Sequence, residues 1–547
     1  MTSTTDARFN LVDTPWIMAR YADGTTRDVS LRTAFHEADA IRELAGELPT
    51  QAFAITRLMI AILVRAVRTE RDELADADWR EFWNDGLPLD EIDAYLDQWY
   101  ERFWLLHPER PFFQVADLAT AKGEMKSTAV LIADLPSNNR LFTTRSGDDA
   151  LALSLAEAAR WLVNTQAFDA SGIKSGDPRD PRVKGGKGYP IGVAWSGHLG
   201  GLVLEAATLA KTLLLNTVSD EMDGLLTDPD ADIPVWERDD ADTAREREIS
   251  PEGAVQLFTW QSRRIRLVAN GDRVSECLVC NGDALTPQNQ HVRETMTAWR
   301  FSDPQTKKMK TTVYMPREHR PERALWRGIS ALLPQRSAQD KNGRDLTRPS
   351  ATVRAMKMRR EYGYLSTLDR IRVHAIGVVY GSQSAVVDDI TDDSLVISPS
   401  LFEDAQAHLA AEAENAVHLA EEGVRALRNL AENLTRAAGG SAEGSADDTV
   451  MSAYEALGRA YPDWLERIDA SSDPIAIATE WRRTAHRTIR GIGLDLVDQA
   501  GPAAWAGREV SSLGRTYFLT APLAESWFRT ALRKTFGDIA TTEKESA

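Results

Sequence analysis

Glycines alternate with lysines in a loop at residues 172–188, the pattern in this chain best suited to contact a polymer directly. Glycine has no side chain and tolerates positive φ, so its backbone can approach a ligand closely. Lysines attract phosphates, and bare backbone N–H groups form anion-binding nests. An ordinary surface loop has the same composition, so both interpretations stay open. The residues are Gly172, Lys174, Gly176, Lys184, Gly185, Gly186, Lys187 and Gly188.

The sequence motifs of catalytic chemistry are missing from the chain. The phosphate-loop spacing GxxxxGK[ST], the zinc-protease spacing HExxH and the esterase spacing GxSxG do not occur. The nine histidines are scattered without a metal-binding or catalytic spacing. Paired carboxylates such as Asp388 and Asp389 are expected in a turn that faces water. The chain therefore reads as a binding protein with no catalytic activity and no cofactor.

Cys277 and Cys280 form the one spacing that is typical of a metal site. Structural zinc needs four ligands, and neither a second CxxC pair nor a histidine partner for His291 is present. We expect no metal and a pair that lies on a tight turn, with a zinc site as the alternative. Two cysteines fit a reducing compartment, and the first residues lack a signal-peptide pattern, so we expect a cytoplasmic protein.

Length and charge limit the class of protein further. A chain of 547 residues exceeds one hydrophobic core, so two or three domains are expected. The net charge of −18 argues against a free-standing, nonspecific nucleic-acid binder. Between residues 293 and 360, however, 17 Lys and Arg face 6 Asp and Glu, so one basic face could still bind nucleic acid locally. The apolar run at 54–67 is interrupted by arginines and predicts a buried helix rather than a membrane span.

Hydrophobic periodicity predicts an α+β fold with two domains. Residues 1–390 should form an irregular mixed domain, opening with a strand pair that turns at residues 22–24. Helices are predicted in this domain at 31–45, 51–71, 155–168, 200–217 and 324–333. Residues 391–547 should form an all-α four-helix bundle, with helices near 413–434, 450–461, 474–497 and 522–536. Asp473 and Pro474 have the residue types of a helix N-cap and first helical position.

Seven segments of the chain occur in an order that matches a known family. They read FNLVDTPWI (9–17), HPERPFFQV (107–115), NTQAFDASGIKSG with KGGKGYP (164–190), PVWER (234–238), FTWQSRRIRL (258–267), TAWRFSDP (297–304) and ALWRGISALL (324–333). With these segments the chain resembles CasA, the large subunit of the type I-E CRISPR surveillance complex Cascade. The C-terminal third is similar only in its helical character and its length.

The resemblance implies a non-catalytic subunit that recognises the protospacer-adjacent motif (PAM) in double-stranded target DNA and starts duplex opening and R-loop formation. Its implied partners are the 5′ end of the CRISPR RNA and the other Cascade subunits, namely the backbone repeat subunits, the small-subunit dimer and the 5′-end subunit. A helicase-nuclease is recruited in trans, and no membrane is involved. The alternatives from other classes are a metal-dependent nuclease and a purely structural scaffold of a ribonucleoprotein.

The resemblance also assigns DNA-binding residues beyond the glycine loop. The turn at 381–385 resembles a glutamine wedge that enters the duplex, with Gln383 as the wedge and Ser384 as the alternative aligned position. Read without the family, this segment is a small polar turn after a strand, and a plain turn remains open. The members of the turn are Gly381, Ser382, Gln383, Ser384 and Ala385. The family's lysine finger aligns with residues 288–293, which hold no lysine, so Asn289, Gln290 or Arg293 would substitute.

Two further segments are assigned to nucleic acid. Phe142, Thr143, Thr144 and Arg145 match the family loop that docks the subunit at the CRISPR RNA end. On the helix predicted at 474–497, four arginines lie on one broad face opposite an apolar stripe. A cationic stripe suits contact with a DNA backbone, although a solvated face has the same pattern. These arginines are Arg482, Arg483, Arg487 and Arg490.

Overall fold

The computed structural model describes residues 7–135, 151–320, 323–333, 339–340, 343–365, 370–512 and 515–537. The chain divides into two compact units. The first comprises Met1–Arg323, Arg336–Thr367 and Ile371–Ser394, and the second comprises Ala324–Gln335, Leu368–Arg370 and Leu395–Ala547. The second unit thus includes Ala324–Gln335, a segment from the middle of the chain that lies within the predicted bounds of the first domain, 1–390.

The first unit mixes short helices with small sheets. Its central helix, Pro49–Arg71, is long and apolar enough to span a membrane by length and composition, yet 89% of its most apolar window is buried inside the protein. This is the burial expected of a core helix. The other α-helices are Leu31–His36, Asp76–Asp85, Leu89–Gln98, Leu155–Phe168, Leu209–Asn216, Ala254–Phe258, Asp303–Met309 and Ala351–Glu361.

A buried ion pair anchors the central helix to the rest of this unit. Arg57 lies within the helix, and its Nη1 and Nη2 donate to the two carboxylate oxygens of Glu294 at 2.8 Å each. Trp195 Nε1 donates to the same carboxylate at 2.8 Å. Both charged side chains are at most 1% exposed. An arginine inside an apolar helix is thus matched by a bidentate carboxylate, the strongest pairing available to it.

Strands of the first unit form several small sheets. The longest pair, Arg263–Asn270 and Arg273–Asn281, is an antiparallel hairpin flanked by the short strands Lys126–Ser127, Leu153–Ser154, Lys174–Ser175 and Lys187–Gly188. Gly201–Glu205, Ile371–Tyr380 and Val387–Ile397 form a three-stranded sheet in that order. Ile17–Tyr21 lies between Thr26–Val29 and Ile41–Leu44. Arg8–Asn10 pairs with Trp104–Leu106, and Trp299–Phe301 pairs with Tyr314–Pro316 and Thr347–Arg348.

The predictions for residues 31–45, 200–217 and 388–389 of this unit are wrong. The helix expected at 31–45 ends at His36, and Ile41–Leu44 is a strand because Ile17–Tyr21 offers it a pairing edge. The helix expected at 200–217 begins with the strand Gly201–Glu205, which pairs with residues 372–376. Asp388 and Asp389 lie on the strand Val387–Ile397 rather than in a turn, and they do face solvent. Charged side chains on such an edge strand discourage pairing with other chains.

The second unit is built on four long helices: Ala407–Ala438, Asp447–Glu466, Pro474–Asp498 and Ala521–Phe536. The first of them contacts the other three. One face of this helix carries small and apolar residues that are buried: Ala413, Ala416, Ala420, Gly423, Leu427, Leu430 and Leu434. At Gly423 an added Cβ would lie 2.5 Å from Ile489 Cδ1 and 2.9 Å from the Phe536 ring, so glycine permits the close approach of three helices. Asp473 caps the third helix through its carboxylate, as predicted.

The expected order of a mixed α+β part followed by a mainly helical part is confirmed. The helical part nevertheless includes a short helix, Pro502–Ala506, and a two-stranded hairpin, Arg508–Ser512 with Arg515–Leu519. The prediction of an all-α C-terminal part is wrong in that detail. The hairpin is accommodated because Arg508 approaches the end of the first long helix, where its Nη2 donates to the Ala438 carbonyl at 3.4 Å.

Candidate nucleic-acid interface

The glycine–lysine run forms the tip of a tight hairpin in the first unit. Lys184 N donates to the Lys187 carbonyl at 3.0 Å, and Lys187 N donates back to the Lys184 carbonyl at 3.2 Å. Gly185 and Gly186 occupy the two central positions with φ of 58° and 75°. This left-handed pair is the two-residue turn that glycine favours. An added Cβ at either glycine would meet nothing within 4 Å, so the tip is open to a ligand.

The exposed cations of this loop that have no ion-pair partner among the described residues are Lys184 and Lys187. Gly188 is buried beside Asn281. The arginines that precede the tip belong to two consecutive Asp-Pro-Arg repeats at residues 177–182, and both form ion pairs with carboxylates. Arg179 pairs with Asp177 and Asp117, and Arg182 pairs with Asp180 and Glu246.

The predicted wedge turn carries backbone strain at its exposed apex. It connects Ile371–Tyr380 to Val387–Ile397, and Gly381 N donates to the Val386 carbonyl at 3.0 Å across its base. Gln383 and Ser384 adopt φ of 56° and 55°, a left-handed conformation that non-glycine residues rarely take. The Gln383 side chain is exposed. Strain of this kind persists only where the surroundings impose it, and it is frequent at binding sites.

The structure brings this turn against the beginning of the glycine-rich loop. Ser171 N donates to the Ser384 carbonyl at 2.8 Å. A Cβ on Gly172, whose φ is 119°, would lie 3.7 Å from the Ala385 Cβ. One residue before the turn, Tyr380 Oη donates to the Phe168 carbonyl at 2.7 Å. Two segments more than 200 residues apart in sequence therefore form one continuous surface.

A buried ion cluster holds the start of the loop in place. The Asp169 carboxylate accepts from Arg263 Nε and from Lys174 Nζ, the latter at 2.6 Å. Arg263 Nη2 also donates to the carbonyls of Ala170 and Gly192 at 3.0 and 2.9 Å. Burial alone would raise the pKa of Asp169, but the charges and hydrogen bonds of Lys174 and Arg263 lower that pKa. The carboxylate is thus ionised and fixes the backbone from which the loop departs.

The residues predicted to replace a lysine finger have mainly structural contacts. Asn289 adopts φ of 60° and exchanges backbone and side-chain hydrogen bonds with Tyr314. Its Nδ2 donates to the Thr312 carbonyl at 3.1 Å. Gln290 Nε2 donates to the Thr286 carbonyl at 3.4 Å. Because both ends of the Asn289 carboxamide are engaged, this residue holds the strand Tyr314–Pro316 and is a poor candidate for reading a base.

The arginine stripe lies on the helix Pro474–Asp498 of the second unit. Its four members are exposed, and none forms an ion pair with a described residue. On the opposite side Trp481, Ala485 and Ile489 are buried, and Trp481 Nε1 donates to the Ala416 carbonyl at 2.8 Å. The helix is thus amphipathic as predicted, with cationic side chains available to an anionic ligand. The stripe consists of Arg482, Arg483, Arg487 and Arg490.

Two further predictions concern docking and metal. Phe142, Thr143, Thr144 and Arg145 lie outside the described residues.

Cys277 and Cys280 lie within the strand Arg273–Asn281 rather than on a tight turn, because that segment pairs with Arg263–Asn270. Burial raises the pKa of both thiols to about 12. In the part of the chain that the structure describes, no group of three or more metal-ligating side chains occurs.

Sequence reasoning missed the residues that join the two loops. Ser171 and Asp169 lie in the segment NTQAFDASGIKSG (164–176). Their partners are distant in sequence: Ser384 for Ser171 and Arg263 for Asp169. No local pattern signals such a contact. The resulting surface offers open glycine backbone, two exposed lysines and an exposed glutamine amide. Such a surface can contact a phosphate backbone and a base edge together.

Comparisons with known proteins agree with the family resemblance that the seven ordered segments indicated. The model of the family described as CRISPR-associated protein Cse1 matches residues 10–492. CRISPR-associated protein CasA/Cse1 of Thermus thermophilus is 28% identical over 442 residues, which cover 79% of this chain and 78% of that protein. Thermobifida fusca Cse1 has a crystal structure similar to this one, with a TM-score of 0.88 and 40% identity over 98% of this chain and 99% of that one. A chain of a CRISPR RNA-guided surveillance complex shares the fold, with a TM-score of 0.69 at 17% identity over 96% of this chain and 99% of that one.

The ion cluster yields a stability prediction. Asp169→Asn leaves Arg263 and Lys174 buried without a counter-charge, so the free energy of unfolding should fall by about 3 kcal/mol or more. Because the pKa of Asp169 is lowered in the folded state, this difference should be present above the unfolded pKa of about 3.9 and should disappear as pH falls through the folded value. Urea unfolding followed by circular dichroism at several pH values measures it.

Asp117→Asn is the control for this prediction, since Asp117 is 70% exposed and pairs with Arg179 at the surface. Its loss should cost less than about 1 kcal/mol. Equal effects of the two substitutions would contradict the structural role assigned to Asp169.

Proposed function

The chain belongs to the CRISPR-associated Cse1 family, and from that premise we propose that it is the non-catalytic large subunit of a type I-E CRISPR RNA-guided surveillance complex. In that complex it recognises the PAM in double-stranded DNA and starts duplex opening and R-loop formation. Support for a complex comes from the relatives, one of which is a chain of a CRISPR RNA-guided surveillance complex with the same fold. Support for the PAM contact comes from the geometry of the first unit.

One observation carries the PAM proposal: the hydrogen bond from Ser171 N to the Ser384 carbonyl. It joins the loop that ends in the glycine hairpin to the turn that presents Gln383. A duplex placed on this surface would meet glycine backbone and lysine charge from one segment and a protruding carboxamide from the other. Phosphate contacts position a protein on DNA, whereas contacts to base edges carry the sequence information.

The two elements have different tasks in this proposal. The hairpin tip approaches the minor groove because its backbone is not shielded by side chains. That groove distinguishes base pairs poorly, so several related PAM sequences should be accepted. Gln383 enters beside the PAM and separates the first base pair, aided by a conformation that is already fixed before DNA arrives. A rigid wedge loses less conformational entropy on binding than a flexible one.

The remaining parts of the proposal rest on the family and on the sequence. The loop containing Phe142 and Arg145 docks the subunit at the 5′ end of the CRISPR RNA, beside the backbone subunits and the 5′-end subunit. The helical unit contacts the small-subunit dimer, and its arginine stripe holds DNA during R-loop formation. The subunit then provides the docking site for the helicase-nuclease. The complex acts in the cytoplasm.

The alternatives predict different behaviour of the purified protein. A metal-dependent nuclease would degrade DNA with Mg²⁺ and without any partner. A structural scaffold would be required for assembly of the complex, but substitutions in its loops would leave target selection unchanged. The three functions are separated by comparing complexes with unmodified and with substituted loops in their binding to a library of randomised PAM sequences. Only the proposed function makes target selection depend on this chain's loops.

The glycine hairpin is tested by Gly186→Asn. Asparagine tolerates the left-handed conformation, so the turn should persist while a side chain now covers its backbone. We expect at least tenfold weaker binding of PAM-bearing duplexes by the assembled complex, with assembly intact. Gel-shift titration measures the affinity and size-exclusion chromatography the assembly.

Gly271→Asn is the matched control for the hairpin. Gly271 also has positive φ, at 64°, and an added Cβ there meets nothing within 4 Å. It lies in the turn between Arg263–Asn270 and Arg273–Asn281. If both variants bound PAM-bearing duplexes equally well, the hairpin's proposed role would be lost.

The wedge is tested by Gln383→Gly. Glycine relieves the strain of a φ near 56°, so thermal stability should stay the same or rise. Duplex opening next to the PAM should nevertheless slow by at least tenfold because the inserting side chain is gone. Fluorescence of 2-aminopurine placed in the target beside the PAM reports the opening rate. Asp72→Gly relieves a similar φ of 66° elsewhere in this unit and should leave that rate unchanged.

The arginine stripe is tested by reversing charge at Arg483, Arg487 and Arg490 to Glu. Each phosphate contact releases counterions, so losing three should reduce the slope of log affinity against log salt by about 3 and reduce stable R-loops. PAM preference should not change. The control reverses three exposed arginines that pair with local carboxylates, Arg425, Arg428 and Arg459. An unchanged salt slope in the first variant would show that the stripe is merely solvated.

A further inference from the structure

Charged side chains of alternating sign link two sheets of the first unit. One sheet contributes Arg20 and Glu43, and Arg20 Nη1 donates to Glu43 Oε1 at 2.7 Å. The other sheet contributes Glu205 and Arg372. Arg372 Nη1 lies 3.4 Å from Glu43 Oε2 and 3.1 Å from Glu205 Oε2. Arg372 therefore joins carboxylates of both sheets.

His374 extends this series of charges by one step. Its Nδ1 lies 2.7 Å from Glu205 Oε1, and its Nε2 lies 2.6 Å from Asp392 Oδ1. An ionised carboxylate can only accept a hydrogen bond, so both contacts are hydrogen bonds only when both ring nitrogens carry a proton. Burial by itself would lower the pKa of His374, but the hydrogen bonds and charges of Glu205 and Asp392 raise that pKa. The imidazolium is therefore the form that fits this position.

The charged groups around His374 come from both flanking strands and from its own strand. Glu205 belongs to the strand on one side, Asp392 to the strand on the other, and Arg372 lies two residues before the histidine. The alternate side chains of the central strand, Val373 and Ala375, are apolar and buried. The histidine thus holds the three strands of this sheet together through a single side chain.

The contact with Asp392 is the one that depends on the proton. Glu205 keeps Arg372 as a partner and is only 16% exposed, so a neutral imidazole should donate its one remaining proton to this more buried carboxylate. Asp392 is 56% exposed, and His374 is its ion-pair partner among the described residues. Loss of the proton therefore releases Asp392 to water.

The strand Val387–Ile397 depends on this contact because it is an edge strand rich in carboxylates. In the described part of the chain, its one strand partner is Ile371–Tyr380. Four of the six residues 388–393 are aspartates, and like charges so close together repel one another. The two strands are also the two legs of the hairpin whose turn presents Gln383. The imidazolium of His374 offsets the repulsion on one leg and ties that leg to the other.

We propose that protonated His374 is a pH-sensitive clamp that joins the two legs of the wedge hairpin and keeps Gln383 in position for duplex opening. His374 is a positioning residue, since it acts through the strand rather than on the DNA. The inference rests on the proposed function of Gln383 as a wedge. Because the pKa of His374 is raised in the folded chain, the contribution of the clamp is complete below the unfolded pKa of about 6.5 and is lost as pH rises through the folded value.

Hydrogen exchange of the purified full-length chain tests the clamp without DNA. The protection factor, which is the intrinsic exchange rate divided by the observed rate at the same pH, should fall at least fivefold between pH 6 and pH 9.5 for peptides from residues 387–394. His374→Gln cannot be protonated and should show the low value at every pH. His374→Arg is always charged and should show the high value throughout.

Two results of this measurement would overturn the clamp. One is a protection factor of the unmodified chain that stays constant from pH 6 to pH 9.5. The other is a His374→Arg variant whose protection factor falls with pH as in the unmodified chain, because the titrating group would then be a different one.

The link from the clamp to the wedge is tested in the assembled complex. The opening rate reported by 2-aminopurine beside the PAM is divided by the rate of the His374→Gln complex at the same pH, which removes the pH effects of other groups. This ratio should fall at least threefold between pH 6 and pH 9.5. A ratio that is independent of pH would overturn the link.

His36→Gln is the matched control for this substitution. His36 is 45% exposed, and its Nε2 lies 2.8 Å from Asp93 Oδ2, so it also pairs with a carboxylate but not between the legs of the wedge hairpin. The complex with His36→Gln should keep the pH profile of the unmodified complex. The same loss of pH dependence in both variants would contradict the role assigned to His374.

Failure of this inference and failure of the proposed function give different results. If Gln383→Gly slows opening at every pH while the ratio for His374 stays flat, the wedge stands and the clamp is overturned. If Gln383→Gly leaves opening unchanged, the wedge itself is wrong, and the positioning role of His374 falls with it. Hydrogen exchange then still shows whether His374 holds the strand.

Discussion

The buried ion cluster of Asp169, Lys174 and Arg263 is the interaction on which the candidate interface depends. It lies where the helix Leu155–Phe168 ends and the glycine-rich loop begins. Because the Arg263 guanidinium also binds two carbonyls from either side of the loop, a single side chain fixes both the departure and the return of the backbone. Two residues after Asp169, Ser171 N donates to the Ser384 carbonyl, so the backbone held by this cluster also contacts the distant turn.

The interface combines a rigid base with an open edge. Below the hairpin tip, arginines are neutralised by the repeated Asp-Pro-Arg arrangement, which stiffens the loop but leaves little free charge there. At the tip, lysines and glycines stay exposed. A strongly acidic protein can therefore present a small cationic contact without general affinity for nucleic acid. This suits a subunit whose partner complex provides most of the target recognition by base pairing.

The sequence correctly predicted the helices whose formation depends on residues close together in the chain. The helices at 51–71, 155–168 and in the C-terminal third follow from periodic apolar residues and, at Asp473, from a capping side chain. The failures share one cause. Residues 41–44 and 201–205 have helical apolar spacing but become strands because other strands, Ile17–Tyr21 and Ile371–Tyr380, offer them pairing edges. Asn289 has the residue type of a base-reading side chain, but Tyr314 engages it.

The sequence by itself determined the family, the α+β class and the residue types available for binding, because ordered motifs and periodicity are properties of the chain. Only the tertiary structure decided which of those residues act together. The hydrogen bond between residues 171 and 384 and the ion pair between residues 169 and 263 join segments that no local spacing relates. The same packing pairs Arg179 and Arg182 with carboxylates. Such outcomes depend on the complete set of neighbours, which exists only after the chain has folded.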